Sequence, residues 1–292
     1  MLRATVAVVL ALAAADPAHV AETEAFRKKH EEDYRRQFVP LAGLFALKDG
    51  VNMVGSGASN AVVLPRPAPA TVGRLVVTAD RVRFEPAAGA RVTLKGQPVT
   101  RPIDLKSDEK GPADDLAVGA VTFWVHMSGD RRTVRLRDPN GAPARAFLGF
   151  RWFPYDEKFR VTARFIKDPA PRQVSIPNQL GDEETYTTEG IVRFTLAGST
   201  ITMRPMTTRP GRLYFIFRDG TSGKETYDVA RFLYSDVKED GTTVLDFNQA
   251  YNPPCSFNPY TTCPLPPKEN RLTVRIVAGE QAYPHPPGRA TK

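Results

Sequence analysis

From Leu41 onward, glycine and proline cut the chain into short pieces, and that punctuation limits what it can fold into. The 26 prolines and 21 glycines among 292 residues mark many turns without reaching a low-complexity composition. Short alternating runs between them predict strands at 45–47, 61–64, 74–78, 81–85, 91–94, 122–128, 131–136 and 159–166. They continue at 172–176, 185–196, 200–205, 212–218, 227–235, 243–247 and 271–278. Many short strands with regular turns predict a mainly β fold. The hairpin across Ser128-Gly129-Asp130 is the clearest, because Gly-Asp separates two alternating runs.

The N-terminus reads differently. Arg3 precedes an uninterrupted apolar run from Ala4 to Ala15, with an A-x-A cleavage pattern at Ala13 to Ala15 and a second boundary at Ala21. The run is shorter than the roughly 20 residues that span a bilayer. Residues 1–21 are therefore predicted to be an export leader, giving a mature chain without a transmembrane segment in the periplasm, the cell envelope or the medium. Residues 22–40 are predicted to be a helix, since Phe26, His30, Tyr34 and Phe38 fall four apart and Pro40 and Gly43 end the pattern. His30 on that stripe reads as a packed histidine.

The formal charge is +8, yet basic residues are interleaved with acids, as in FRKKHEEDYRR. No basic stripe with aromatics stands out, so nucleic acid is not an expected partner. Serine-hydrolase, zinc-protease, phosphate-loop and dinucleotide signatures are missing. With only four histidines, a histidine triad or His-rich zinc site lacks material, and neither metal nor cofactor is expected.

Three segments of the first half follow one outline: Gly55-Ser56 to Pro65, Val92 to Gly96, and Leu116 to Gly119. Their order resembles a degenerate forkhead-associated β-sandwich, which implies such a lobe at 41–166. Ser56 stands where that family carries its phosphate-binding arginine, and Thr71-Val72-Gly73 replaces its Ser-Arg segment, so a structural role is the expectation. The aromatic run Ala146 to Pro154 reads as packing. Lys167 to Pro171 reads as a stiff linker, followed by a C-terminal antiparallel meander or barrel at 172–283 and a tail at 284–292.

The segment from Leu245 to Glu280 is polar and proline-rich and holds both cysteines, Cys255 and Cys263. In an exported protein an even cysteine count points first to a disulfide; a metal pair and a reactive thiol are the alternatives. The motif Thr226-Tyr227, Arg231, Leu245 to Asn248, Ala250 to Pro253, Cys255, Cys263 to Pro267, Glu269-Asn270, Leu272 and Ala278 to Glu280, with Gly149 to Pro154 upstream, resembles the uncharacterised bacterial and archaeal family catalogued as domain of unknown function 1684. The resemblance implies no activity. Members of that family without a leader also carry both cysteines, which leaves a role other than a structural bridge open.

The candidate site residues are Lys224, Tyr227, Arg231, Asp246, Asn248, Tyr251, Asn252, Cys255, Cys263, Asn270 and Glu280. The leading expectation is a pocket for a small ligand or an envelope partner, with the proline-rich loop as a rigid lid. A hydrolase or transferase is the second: Asp246 or Glu280 as base, Lys224 or Arg231 facing an anion, a cysteine as nucleophile. The third is a structural envelope protein in which these groups are only packed.

Overall fold

The computed structural model describes residues 15–179 and 181–284. The leader prediction lies outside the described residues up to position 14, and the predicted tail lies outside them from position 285.

Helix α1 (Pro17–Gln37) starts five residues earlier than its heptad-like stripe suggests. Asp16 caps it, accepting a bond from the Ala18 N–H at 2.8 Å, and Pro17 fits the first turn, where no N–H is needed. The buried face is Thr23, Arg27, His30 and Tyr34, while Phe26 and Phe38 are only half-buried. This helix therefore docks through polar bonds and rings more than through an apolar stripe.

Two sheets follow, built from β1 (Leu41–Ala46), β2 (Gly50–Gly55), β3 (Val62–Val63), β4 (Gly73–Val77), β5 (Val82–Pro86), β6 (Thr93–Leu94), β7 (Gln97–Pro98), β8 (Ile103–Leu105), β9 (Leu116–Val118), β10 (Val121–Ser128) and β11 (Arg131–Arg137). One sheet runs β1-β11-β10-β9-β6-β7 and the other β3-β2-β4-β5-β8. All pairs are antiparallel except β2 with β3. Alternate residues of both sheets, including Leu75, Phe84, Phe123 and Leu136, close one core between them. The β10–β11 hairpin turns at Gly129 with φ of 59°, as its sequence predicts.

After the short α2 (Ala142–Ala146), the chain enters β12 (Arg160–Pro177), β13 (Glu183–Leu196), β14 (Ser199–Met203), β15 (Met206–Arg209), β16 (Arg212–Phe217), β17 (Arg231–Asp236) and β18 (Thr242–Asp246). Two antiparallel sheets result, β14-β13-β12-β18 and β15-β16-β17. The stretch read as a linker, Lys167 to Pro171, lies inside β12 instead. Its prolines cannot donate to a ladder, so the register with β13 breaks there, between Lys167 and Arg172, and resumes beyond. The predicted strand at 271–278 is also corrected: this segment joins no sheet. The chain is thus mainly β, with an N-terminal helix and several antiparallel sheets. No helix among the described residues is long and apolar enough to cross a membrane.

Candidate functional site

The polar residues of the C-terminal motif are nearly all buried, and most are held in three knots, of which the first two adjoin. Arg231 is completely enclosed. It pairs with Asp219 at 2.8 Å, donates to the carbonyls of Ile276 and Ala278, and lies over the Phe217 ring. Burial lowers its pKa, and Asp219 works against that shift. The Arg231 guanidinium donates to the carbonyls of Ile276 and Ala278, while Leu272 and Val274 bond the backbone of Arg218 and Gly220, so 271–278 is held without joining a sheet. Gly279, at φ 79°, lets the chain pass the guanidinium where a Cβ would collide with it.

The second knot joins Glu280 to Asn252, whose backbone and side-chain N–H groups donate to the carboxylate at 2.8 and 3.0 Å. Glu280 is 1% exposed, and its pKa is pushed up to about 8 by burial, against the Asn252 bonds and Arg231. His30 Nε2 stands 3.8 Å from it with no hydrogen-bond partner, inside a cage of Phe26, Tyr34, Phe150, Trp152 and Tyr251. Burial lowers the His30 pKa to about 4, so the ring is neutral at neutral pH. The third knot is Asn270, which accepts from the Arg204 N–H and donates to the carbonyls of Arg204 and Ile216 at 2.8, 2.9 and 3.0 Å. It ties a 3-10 turn (Lys268–Asn270) to the ends of β14 and β16.

Cys255 and Cys263 form a disulfide buried beside Tyr227. Neither sulfur is a free thiol. Between them Asn258 donates to the carbonyls of Phe38 and Leu41 at 3.0 and 2.9 Å, so the loop clasps the junction of α1 and β1. Lys224 is exposed, in the turn that Thr221 ties to Asp219, and its side chain joins none of these knots.

Asp246 and Asn248 are placed differently. Asp246 ends β18 and accepts from the Asn248 N–H and side chain at 3.0 and 2.9 Å. Its other oxygen meets Arg160 at 3.1 Å and Thr23 at 3.4 Å. Arg160 is its direct cross-strand partner in β12. Asn248 turns away from solvent and binds both backbone groups of Asp156.

Of the predicted residues, Asp246 lines a cleft of about 270 Å³ beneath α1. The cleft exists because two edge strands part. β17 ends one sheet and β18 another, and only isolated bridges join them, Phe232 to Tyr251 at one end and Val237 to Thr243 at the other. Glu22 and Phe26 of α1, Arg160, Arg212, Tyr234, Ser235, Asp236, Lys238 and Gln249 complete the lining with Leu233 and Val244. The Ser235 side chain is buried, yet its Oγ has no hydrogen-bond partner. An unmade buried bond costs on the order of 1–3 kcal/mol. Two larger grooves, of about 710 and 730 Å³, are lined by none of the unpartnered buried polar atoms found among the described residues.

Glu22, Arg160, Arg212, Tyr234, Ser235 and Lys238 were outside the predicted site. The one local signal is the alternation Tyr234-Ser235-Asp236-Val237-Lys238, which puts charge on one edge of a strand.

A comparison with curated proteins gives no match. Among solved structures, the solution structure of an uncharacterized protein from gene locus rrnAC0354 of Haloarcula marismortui is similar to part of the chain. It is 28% identical over 49% of this chain and 82% of that one, with a TM-score of 0.41. Residues 145–281 match the family described as "Protein of unknown function (DUF1684)".

Proposed function

We propose that this protein binds a small polar molecule in the cleft between β17 and β18, with Asp246 and Arg160 at its inner end. The observation that carries this reading is the buried, unpartnered Ser235 hydroxyl in a cleft lined by charges of both signs. A ligand atom there would remove the cost of the missing bond. The volume suits a metabolite more than a macromolecule. The other motif residues act as structural ties in this reading, because each is already bonded to neighbouring chain. The nucleophile of a transferase or hydrolase reading is spent in the disulfide.

A thermal-shift screen of small polar metabolites tests the cleft, since a ligand that binds the folded state raises its melting temperature by mass action. At least one compound is expected to raise the Tm of the native chain and to lose that effect in Val244→Phe, which fills the cleft from its wall. Shifts that are the same in both proteins, or in neither, would sink the proposal.

We also propose that the protein acts outside the cytoplasm. The apolar run before Asp16 and the buried disulfide support export, and the start of the mature chain tests it. The forkhead-associated resemblance of residues 41–166, with its ligand residues replaced, belongs to this proposal as a scaffold role for the first two sheets. The cleft lies between strands of the C-terminal sheets, with Glu22 and Phe26 of α1 and Arg160 of β12 in its lining.

A further inference from the structure

The charges along the cleft are sorted. β17 and β18 run antiparallel past each other, with Val237 opposite Thr243, so the register sets Asp246 near Tyr234 and Val244 near Asp236. At the Asp246 end two carboxylates, Asp246 and Glu22, share one guanidinium, that of Arg160, at 3.1 and 3.6 Å. At the other end Arg212 and Lys238 face one carboxylate, Asp236, which is exposed and pairs with Arg212 at 2.5 Å. Lys238 makes no ion pair within 4 Å among the described residues, and Asp240, whose carboxylate its charge also favours, lies outside the cleft lining and beside Arg164. One end therefore carries an excess negative charge and the other an excess positive charge.

Between these ends the β17 backbone is open. Phe232 exchanges both of its backbone bonds with Tyr251, at 2.8 and 3.0 Å, on the side away from β16. In an antiparallel ladder the bonding direction alternates along the strand. The N–H and C=O of Tyr234 therefore also point away from β16, into the gap where β18 forms no ladder with β17. An extended chain entering the gap would meet one donor, one acceptor and the free Ser235 hydroxyl next to them.

Resting on the cleft reading above, we infer that the ligand is a dipeptide-sized peptide zwitterion, laid in as a short added strand. Its ammonium meets Asp246 and Glu22, its peptide unit pairs with the Tyr234 backbone, and its carboxylate meets Arg212 and Lys238. A ligand with a single negative charge would face Asp246, which is fixed by bonds to Asn248, Arg160 and Thr23. A single positive charge would face Arg212 and Lys238. The dipeptide answers both ends and the backbone between them.

The test is calorimetric titration of the full chain with a set of L,L-dipeptides, each beside its C-terminal amide, its N-acetyl form and its free constituent amino acids. At least one dipeptide is expected to bind. Each of its three analogues should bind about tenfold weaker or worse, the scale of one lost charge-assisted bond. Lys238→Glu should weaken the dipeptide more than its amide. Equal binding of the amide, the N-acetyl form or the single amino acids overturns the inference, as does dipeptide binding that Val244→Phe leaves unchanged. If other polar metabolites bind the cleft and no dipeptide does, this inference fails and the cleft reading stands. If nothing binds, both fail.

Discussion

His30 and Glu280 are buried together, and burial drives each toward its neutral form, the histidine down to about 4 and the carboxyl up to about 8. Asn252 supplies two N–H groups to Glu280, while Arg231 favours and Glu31 opposes its ionised form. For His30 the opposing influence is Asp33. Between pH about 4.5 and 6.5 the folded pair holds one proton, on Glu280, and the unfolded pair also holds one, on the histidine, so the pair adds no slope to stability. Above pH 6.5 the unfolded chain releases its proton while folded Glu280 keeps its own up to about pH 8. Stability should therefore fall as pH rises through this window, by about 2 kcal/mol. Urea unfolding at pH 6.5 and pH 8 checks this against Glu280→Gln, whose carboxamide does not titrate. The fall should be present in the native chain and much reduced in the variant, and equal falls would refute the assignment.

At the scale of elements, α1 decides where a mature chain can begin. Cleavage after Ala21 would remove the Asp16 cap, the first turn and the His19–Glu157 contact at 2.9 Å. Cleavage after Ala15 would remove none of them. An exported chain is therefore expected to start at Asp16, which intact-mass measurement of protein recovered outside the cytoplasm will show; a start at Glu22, or an uncut chain, contradicts it. The helix start was hidden in the sequence because its first turn merges with the alanines of the predicted leader. The β10–β11 hairpin was legible because alternation and a Gly-Asp turn are local signals. The segment at 271–278 misled, since LTVRIVA alternates like a strand while the carbonyls of Ile276 and Ala278 accept from a side chain 40-odd residues upstream. Asp246 could be chosen from the motif. The rest of its cleft could not, because the lining comes from α1, β12, β16 and β17, and only the fold sets their register.

At the scale of the whole molecule, the first two sheets enclose a core whose members all come from residues 42–136. The packing that reaches them from the C-terminal half includes two polar ties. One is Asn258 at the α1–β1 junction. The other is Asp182, at the tip of the β12–β13 hairpin, which accepts from Ser128 at 2.7 Å and Arg131 at 2.6 Å at the β10–β11 turn and from Asn178 of its own hairpin at 3.2 Å. Arg131 holds the Asp182 pKa down to about 2, so this tie persists from neutral pH to about pH 4 and is lost as pH falls toward 2. A lobe with its own core, tied by few groups, should respond to loss of a tie more in cooperativity than in local packing. Asp182→Ala is expected to lower stability by about 1–3 kcal/mol and to separate the melting of the first two sheets, β1 to β11, from that of the sheets built from β12 to β18, giving a broadened or double calorimetric transition at pH 7. Hydrogen exchange should then rise first in the turns at 128–131 and 178–184. A single sharp transition that only moves to lower temperature would mean that the two halves melt as one unit, and the proposed division of the chain would fall with it.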